Sequence, residues 1–419
     1  MNAAEVAAVA ADVEAYLCDT ASNVDPYPAY RRLREVAPVY RSEATNSWIV
    51  TGFPEAEALF RSPHLSRQEA GARQFGWLAG PDDTPEVARA VQAWLSTVLN
   101  LDPPEHTRLR RLMSRAFSPR SVAKWEARTV QVVDDVLAGL GARVELDLLN
   151  EVGYPIPERV ICEIMGVPAE DHDRWKQWSS GMNQAAVFAG SGARLPEEAL
   201  RTAQDSVVRW YGYFSDLVDR RRGSDGDDLI SELVRVEEEG DRLSEMELIG
   251  TLILLIGAGH DTTANLFANA MLALMRQPQQ YAALRTDPSL ASAAVEEILR
   301  FDGSARGQPR VATADIEIEG QTIRSGDLVA VIVNAANRDP RRFADPESFD
   351  ITRADSGHLG FSGGIHYCLG AALARMEVAV ELRAVAAAPY RFELASADLA
   401  YKRTHGRNLV GLPVRRVSP

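Results

Sequence analysis

Between Ser244 and Pro278 the chain runs without a proline, and this stretch constrains the fold more than any other. Ser244-Glu245-Met246-Glu247 has the spacing of a capping box, in which a serine and a glutamate three residues later satisfy each other's backbone donors. A helix of about 30 residues is expected to follow, about 45 Å long, enough to cross a whole domain. Leu248, Ile249, Leu252, Ile253, Leu254, Leu255 and Ile256 leave it almost no polar face, so its first half must be buried in protein or in lipid. Gly257, Gly259, His260, Asp261 and Thr262 interrupt the apolar run well short of the ~20 residues of a membrane span. Burial in protein is the consistent reading, and a core that accepts such a helix belongs to one large, mainly helical unit.

Composition agrees. Of 419 residues, 46% are hydrophobic and 25% charged, the range of a globular chain with a sizeable core. No Gly/Ser-rich or Pro-rich linker divides it. One domain is therefore expected over residues 25–419, after an N-terminal extension, residues 1–24, expected to be partly disordered. The formal charge of -14 leaves no electrostatic footprint for nucleic acid. Met1 to Ala15 carry Glu5, Asp12 and Glu14 but neither a basic start nor an apolar run, so no signal peptide or membrane anchor is expected. Cys18, Cys162 and Cys368 are odd in number and far apart, which argues against a disulfide framework or a zinc site and fits a reducing, cytoplasmic setting.

Pro28 to Val36 reads as a short helix and Val39 to Phe53 as two extended pieces around Ala44-Thr45-Asn46. Asp102 to Arg242 reads as helices broken at glycine and proline. Extended structure returns after Arg310, with Ile316, Ile318 and Ile323 around Gly320, the run Leu328 to Val333, and short strands from Tyr390 to Pro413. The class is mainly α with a small β-rich side (α+β).

Two segments carry chemistry. In Phe361-Ser362-Gly363-Gly364-Ile365-His366-Tyr367-Cys368-Leu369-Gly370 a glycine-rich turn sets one cysteine at the mouth of a helix expected over Leu369 to Ala388. The helix dipole and its unpaired N–H groups stabilise a negative sulfur and prepare it to ligate a metal. A lone cysteine beside a helix is ordinarily a small buried hydrophobe; here the surrounding pattern favours the thiolate. In the long helix, two glycines at about 1 kcal/mol each and a carboxylate weaken the middle of a buried segment. Asp261 and Thr262 could offset this by bonding nearby backbone, or the patch could be a site.

Phe-x-x-Gly-x-His-x-Cys-x-Gly, filled by Phe361, Gly364, His366, Cys368 and Gly370, resembles the haem-binding loop of the cytochrome P450 family. The resemblance runs from about Asp25 to Pro413 and implies the single triangular, mostly α P450 fold. It implies haem b (iron protoporphyrin IX) with Cys368 as the metal ligand, whose electron donation favours cleavage of dioxygen. Ala258-Gly259-His260-Asp261-Thr262 resembles the family's oxygen-activating segment. Ala258 and Gly259 would then open a groove over the cofactor, Thr262 would place its hydroxyl at the dioxygen site, and Asp261 would relay protons.

Asp102 to Arg110 opens a helix on which His106, Arg110, Met113 and Phe117 share a stripe beside Leu109, while Arg108, Arg111 and Arg115 point away. The resemblance makes His106 and Arg110, together with Arg310 and His366, the donors to the haem propionates. Glu297-Ile298-Leu299-Arg300 matches the family's Glu-x-x-Arg lock, normally completed by a downstream basic residue. Ser348 stands at that position, so Arg341, Arg342 and Arg353 are all left as substitutes.

The activity implied is monooxygenation of a small to medium organic substrate with O2 as co-substrate, in the manner of soluble bacterial members that tailor secondary metabolites. No fused electron-transfer domain is expected, so the implied partners are a ferredoxin and its reductase drawing on NAD(P)H, with the enzyme itself expected to be a monomer. Arg108, Arg111, Arg115 and Arg375 are the expected redox-partner surface on an otherwise acidic chain. The rivals are a peroxide-dependent peroxygenase and a non-catalytic haem-binding or sensing protein. Ser66 to Trp94, Trp175 to Phe214, Ile253 to Ala258 and Thr404 to Leu409 are expected around the substrate, with Gly190-Ser191-Gly192-Ala193 as a loop that could open.

Overall fold

The proline-free stretch forms two helices instead of one. In the computed structural model Glu245–Gly259 ends at His260, whose φ of -101° and ψ of -49° lie at the cap, and Asp261–Arg276 follows. The model describes residues 3–18, 25–80, 83–172, 174, 178, 196–238, 241–355, 357–402 and 406–418. They gather into two compact units, one comprising residues 1–65, 126–157 and 261–419, the other residues 66–125 and 158–260.

The second unit is built around Glu245–Gly259. Its capping box is present: Ser244 Oγ accepts from the Glu247 N–H at 3.3 Å and Glu247 Oε2 accepts from the Ser244 N–H at 2.8 Å. Every residue from Leu248 to Ile256 is buried, each leucine or isoleucine contributing about 1.5–3 kcal/mol. The helix packs on Pro85–Leu95 and Glu197–Arg221. At Gly250 a Cβ would lie 2.2 Å from the Ala93 carbonyl oxygen, so only glycine permits this approach.

In the first unit Asp261–Arg276 is buried continuously from Thr263 to Leu274. It packs against Ala291–Asp302, Ala371–Ala387 and the wide helical turn Leu149–Gly153. Val39–Ser42, Ser47–Val50, Leu328–Val331 and Arg310–Ala312 lie side by side in that order in the larger sheet. Arg391–Leu394, Pro413–Val417 and Glu145–Asp147 form a second, antiparallel sheet, and Ile316–Ile318 pairs with Gln321–Ile323. Glu145–Asp147 falls in the stretch expected to be helical. Its partner strand is more than 260 residues away (Arg415 pairs with Glu145 across 270 positions), so local pattern could not reveal it.

Part of the N-terminal extension is described. Ala3–Cys18 is a helix, with Ala10, Val13 and Tyr16 buried against Tyr27, Tyr30 and Leu33. Tyr16 meets Tyr30 edge to face with ring centres 6.0 Å apart. This apolar stripe overcomes the helix's acidic, charge-bearing composition; residues 1–2 and 19–24 lie outside the described residues.

Candidate active site

Cys368 is exposed and outside any disulfide, three residues ahead of Ala371–Ala387, a helix that begins two residues later than expected, with Gly370 as its N-cap. The cysteine's N–H donates to the Phe361 carbonyl at 3.0 Å, closing the loop. Phe361 is buried beneath it. Gly364 has φ +65°, and a Cβ there would sit 2.0 Å from the Phe60 carbonyl oxygen, so the turn before the cysteine requires glycine twice over. Ile365 and Tyr367, flanking His366, are exposed.

Behind the loop lies a cluster centred on Glu296. His358 accepts from the Gly360 N–H through Nδ1 at 3.0 Å, so its Nε2 carries the proton that faces Glu296 Oε2 at 3.2 Å. Arg375 donates to Glu296 at 2.6 and 3.1 Å and to the Tyr367 hydroxyl at 3.0 Å, with its guanidinium 4.5 Å from the Phe361 ring centre. Burial alone would raise the Glu296 carboxyl, but bonds from His358 and Arg375 outweigh it and hold the group down to about 2. Arg375, 35% exposed, is thus paired with Glu296 from another helix, a partner that sequence spacing could not show.

The Glu297–Arg300 pair is fully buried and bidentate, at 2.7 and 2.8 Å. Of the three substitutes left open by Ser348, Arg353 completes it. Its Nε reaches Glu297 Oε2 at 3.1 Å, and its other donors reach the carbonyls of Ala344, Asp345 and Ser348. The Ser348 carbonyl also accepts from Arg300 at 2.8 Å, so that position contributes backbone in place of a charge. Arg341 pairs with Glu55 and Asp339, and Arg342 with Asp355.

Gly257, Ala258 and Thr262 are exposed between two buried helical runs, and Asp261 is half-buried. A Cβ at Gly257 would meet nothing within 4 Å, and one at Gly259 would make only ordinary contact with Ile161, so protein packing does not demand these glycines. Asp261 is held from several sides: Tyr154 donates to Oδ1 at 2.6 Å, Asn408 to Oδ2 at 3.0 Å, and Asn265 to its carbonyl oxygen at 2.8 Å. Lys402 in turn donates to the Tyr154 hydroxyl at 2.7 Å. Tyr154, Asn265, Lys402, Glu296 and His358 escaped the sequence reading, and Asn408 entered it only as part of the segment Thr404 to Leu409; Glu296, adjacent to Glu297, left a local signal.

Arg310 is buried, donating to the carbonyls of Gln308 and Pro309 at 3.1 and 3.2 Å, and His366 is half-buried in the cysteine loop. In the other unit His106, Leu109, Met113 and Phe117 are buried as the stripe required, with Arg110 half-buried. Arg108 departs from the expected outward stripe: it is half-buried, bridging Asp241 and Glu247. These two acids come from the short strand Asp241–Arg242 and the first turn of Glu245–Gly259, far along the chain. Arg111 and Arg115 are exposed. Farther along the cysteine helix, Glu377 and Glu381 are buried, and burial pushes both carboxyls well up; Glu377 raises Glu381 further. Neither oxygen of Glu381 has a hydrogen-bond partner among the described residues. Gly190 to Ala193, Thr404 and most of residues 175–195, expected near the substrate, lie outside the described residues. Gly406 to Leu409 is described, and it contacts Asp261 and Asn265 through Asn408 and Leu409.

An open-faced cysteine behind an obligatory glycine turn, with a histidine and buried arginine in the same unit, has the donor chemistry of a haem-thiolate site, and these residues fit that group. The comparison with known proteins is direct. The model of the cytochrome P450 family matches residues 78–386, and the chain belongs to this family. It is a haem-thiolate monooxygenase. It is 37% identical to cytochrome P450 monooxygenase PikC of Streptomyces venezuelae over 401 residues, covering 93% of this chain and 91% of that one. It is 39% identical to vitamin D(3) 25-hydroxylase of Pseudonocardia autotrophica over 401 residues, 93% of each chain. Among solved structures, P450BioI in complex with an acyl carrier protein ligated to hexadec-9Z-enoic acid aligns with a TM-score of 0.84 and 32% identity, over 97% of this chain and 100% of that one. No helix of the described residues is long and apolar enough to cross a membrane.

Proposed function

We propose that this P450 inserts one atom of O2 into a small to medium organic substrate of secondary metabolism, by hydroxylation or epoxidation, and releases the other as water. The observation that carries the reading is the hydrogen-bonded acid Asp261 beside the exposed Thr262, between the buried runs Leu248 to Ile256 and Thr263 to Leu274. Haem b, when bound, supplies the iron at which dioxygen is reduced and cleaved. Cys368 would ligate it, Gly364 and Gly370 leaving the loop free of side chains beside it, and His106, Arg110, Arg310 and His366 would bind its propionates.

Releasing one oxygen atom as water consumes two protons, and a positioned carboxyl and hydroxyl are the groups that move and hold protons. Asp261 delivers them; Thr262 hydrogen-bonds at the dioxygen site and Ala258 and Gly259 keep space open there. Electrons come from NAD(P)H through a separate reductase and ferredoxin, and the exposed Arg111 and Arg115 steer that acidic carrier. The relatives include a vitamin D(3) 25-hydroxylase and P450BioI in complex with an acyl carrier protein ligated to hexadec-9Z-enoic acid, which supports an apolar substrate.

A peroxide-dependent peroxygenase is the second reading, and the Asp261–Thr262 pair weighs against it because peroxide already carries its protons. The test is the haem-loaded enzyme with ferredoxin, reductase and NAD(P)H. Thr262→Ala should raise the peroxide released per NAD(P)H consumed, and Asp261→Asn should slow NAD(P)H consumption. Both variants behaving like wild type would reduce the pair to a structural feature, and equal turnover with peroxide alone would favour the second reading.

A further inference from the structure

The three donors around Asp261 are not equivalent. Asn408 and Asn265 can only hold the group, whereas Tyr154 and Lys402 form a directed series: Lys402 Nζ donates to the Tyr154 oxygen at 2.7 Å, and the Tyr154 hydroxyl donates to Asp261 Oδ1 at 2.6 Å. Asn265 Nδ2, 3.1 Å from the same tyrosine oxygen, fixes the hydroxyl's direction by occupying its other acceptor site. Lys402 is half-buried, so part of the residue is open to solvent, and its ammonium lies 4.6 Å from the Tyr154 ring centre.

We propose that Lys402 and Tyr154 are a proton relay that recharges Asp261 from solvent. After Asp261 has given up its proton, the Tyr154 O–H proton moves to Oδ1 as an Nζ–H proton moves to the tyrosine oxygen. Lys402, left as a neutral amine, takes a proton from water, and no electrons change hands. The choice of residue supports this. The chain has 45 cationic residues of which only three are lysines, Lys124, Lys176 and Lys402. An ammonium can release a proton and regain it, whereas a guanidinium stays charged. Here a lysine stands where a purely electrostatic clamp would be served equally by arginine. The relay rests on the reading of Asp261 as the proton source for oxygen activation, and Lys402 and Tyr154 act through it as positioning residues.

The experiment supplies the haem-loaded enzyme with surplus ferredoxin, reductase and NAD(P)H, with dioxygen itself as the probe and no organic substrate. Oxygen consumption, peroxide release and the ratio of rates in H2O and D2O are measured for wild type, Asp261→Asn, Tyr154→Phe, Lys402→Arg and Lys402→Met. The expected result is a water-forming branch slowed about tenfold in the Tyr154 and Lys402 variants, less than the ~100-fold at the low end for a directly placed proton donor because water can still reach Asp261. The isotope ratio should change with it, and Lys402→Arg should fail like Lys402→Met. Full rescue by arginine overturns the relay and leaves a charge clamp. Wild-type behaviour of all Tyr154 and Lys402 variants, with Asp261→Asn impaired, overturns the relay alone; wild-type behaviour of Asp261→Asn overturns the underlying reading. A readout independent of turnover comes from protein labelled with 15N-lysine, in which Lys402 is one of three Nζ signals. Its signal should shift in Tyr154→Phe, and an unmoved signal would mean that the contact is not made in solution, which also overturns the relay.

Discussion

Replacing Arg353 by methionine keeps most of the side-chain stem and removes the guanidinium that completes the lock behind the cysteine loop. Four bonds are lost: one charge-assisted, to Glu297 Oε2 at 3.1 Å, and three to the carbonyls of Ala344, Asp345 and Ser348 at 2.7, 3.2 and 3.2 Å. Glu297 is not orphaned, because Arg300 and the Asp350 N–H, at 2.8 Å, still hold it. The cost should therefore fall below the ~3–5 kcal/mol of breaking a buried pair outright and above the ~0–1 kcal/mol of a surface pair. We expect about 2–3 kcal/mol. The structure supplies its own controls: Arg300→Met removes both bonds of the bidentate pair from a carboxylate that is 2% exposed, leaving it only Arg353 and the Asp350 N–H, and should cost more, whereas Arg342→Met loses a pair with Asp355 whose side chain is 55% exposed and should cost less. Urea unfolding of the haem-loaded variants, followed by fluorescence and by the haem spectrum, gives the ordering. Arg353→Met within ~0.5 kcal/mol of wild type, or Arg342→Met costing as much, would refute the assignment of Arg353 as the third member.

Glu381→Gln removes a buried carboxyl whose value in the folded protein is raised. The unfolded group ionises first, so wild-type stability is full below about pH 4.3 and falls by about 1.4 kcal/mol per pH unit above it until the folded group also ionises. The variant should be the more stable at neutral pH, with the difference closing toward pH 4; a difference independent of pH would contradict this. Glu296 behaves oppositely, being held down to about 2: its contribution, at most about 3 kcal/mol before solvent screening, is present above about pH 4.3 and lost as pH falls toward 2. Glu296→Gln should accordingly weaken the cysteine loop at neutral pH and shift the loss of the thiolate haem spectrum to milder denaturing conditions, and an unchanged transition would remove Glu296 from the loop's support. Charge reversal at Arg111 or Arg115 should slow electron transfer strongly at low salt and less at high salt; kinetics identical to wild type at every salt concentration would take these residues out of partner steering.

How much of this could be read from the sequence follows the range of the interactions. The capping box at Ser244, the apolar run to Ile256, the buried stripe of His106, Leu109, Met113 and Phe117, and the glycine turn before Cys368 depend on residues within a few positions of one another, and all four were legible. The break at His260 was foreshadowed by the glycines but not placed, because helix propensity alone does not locate a cap. The residues that surround Asp261 come from 107 and 147 positions away, Tyr154 and Asn408 respectively, and no periodicity announces them. Charge was the least legible property. Arg108 and Arg375 look like surface cations in a helical projection, yet each meets carboxylates brought by other elements, whereas Arg353 looked no different from Arg341 and Arg342 and proved to sit on Glu297.

The central claim is that Cys368, and neither of the other two cysteines, ligates the haem iron. The most direct measurement is the absorption spectrum of the reduced, haem-loaded protein under carbon monoxide, taken for wild type, Cys368→His, Cys162→Ser and Cys18→Ser. The expected result is the red-shifted thiolate band in wild type and in the last two variants and its loss in Cys368→His. Persistence of that band in Cys368→His, or its loss with either of the other cysteines, would contradict the claim.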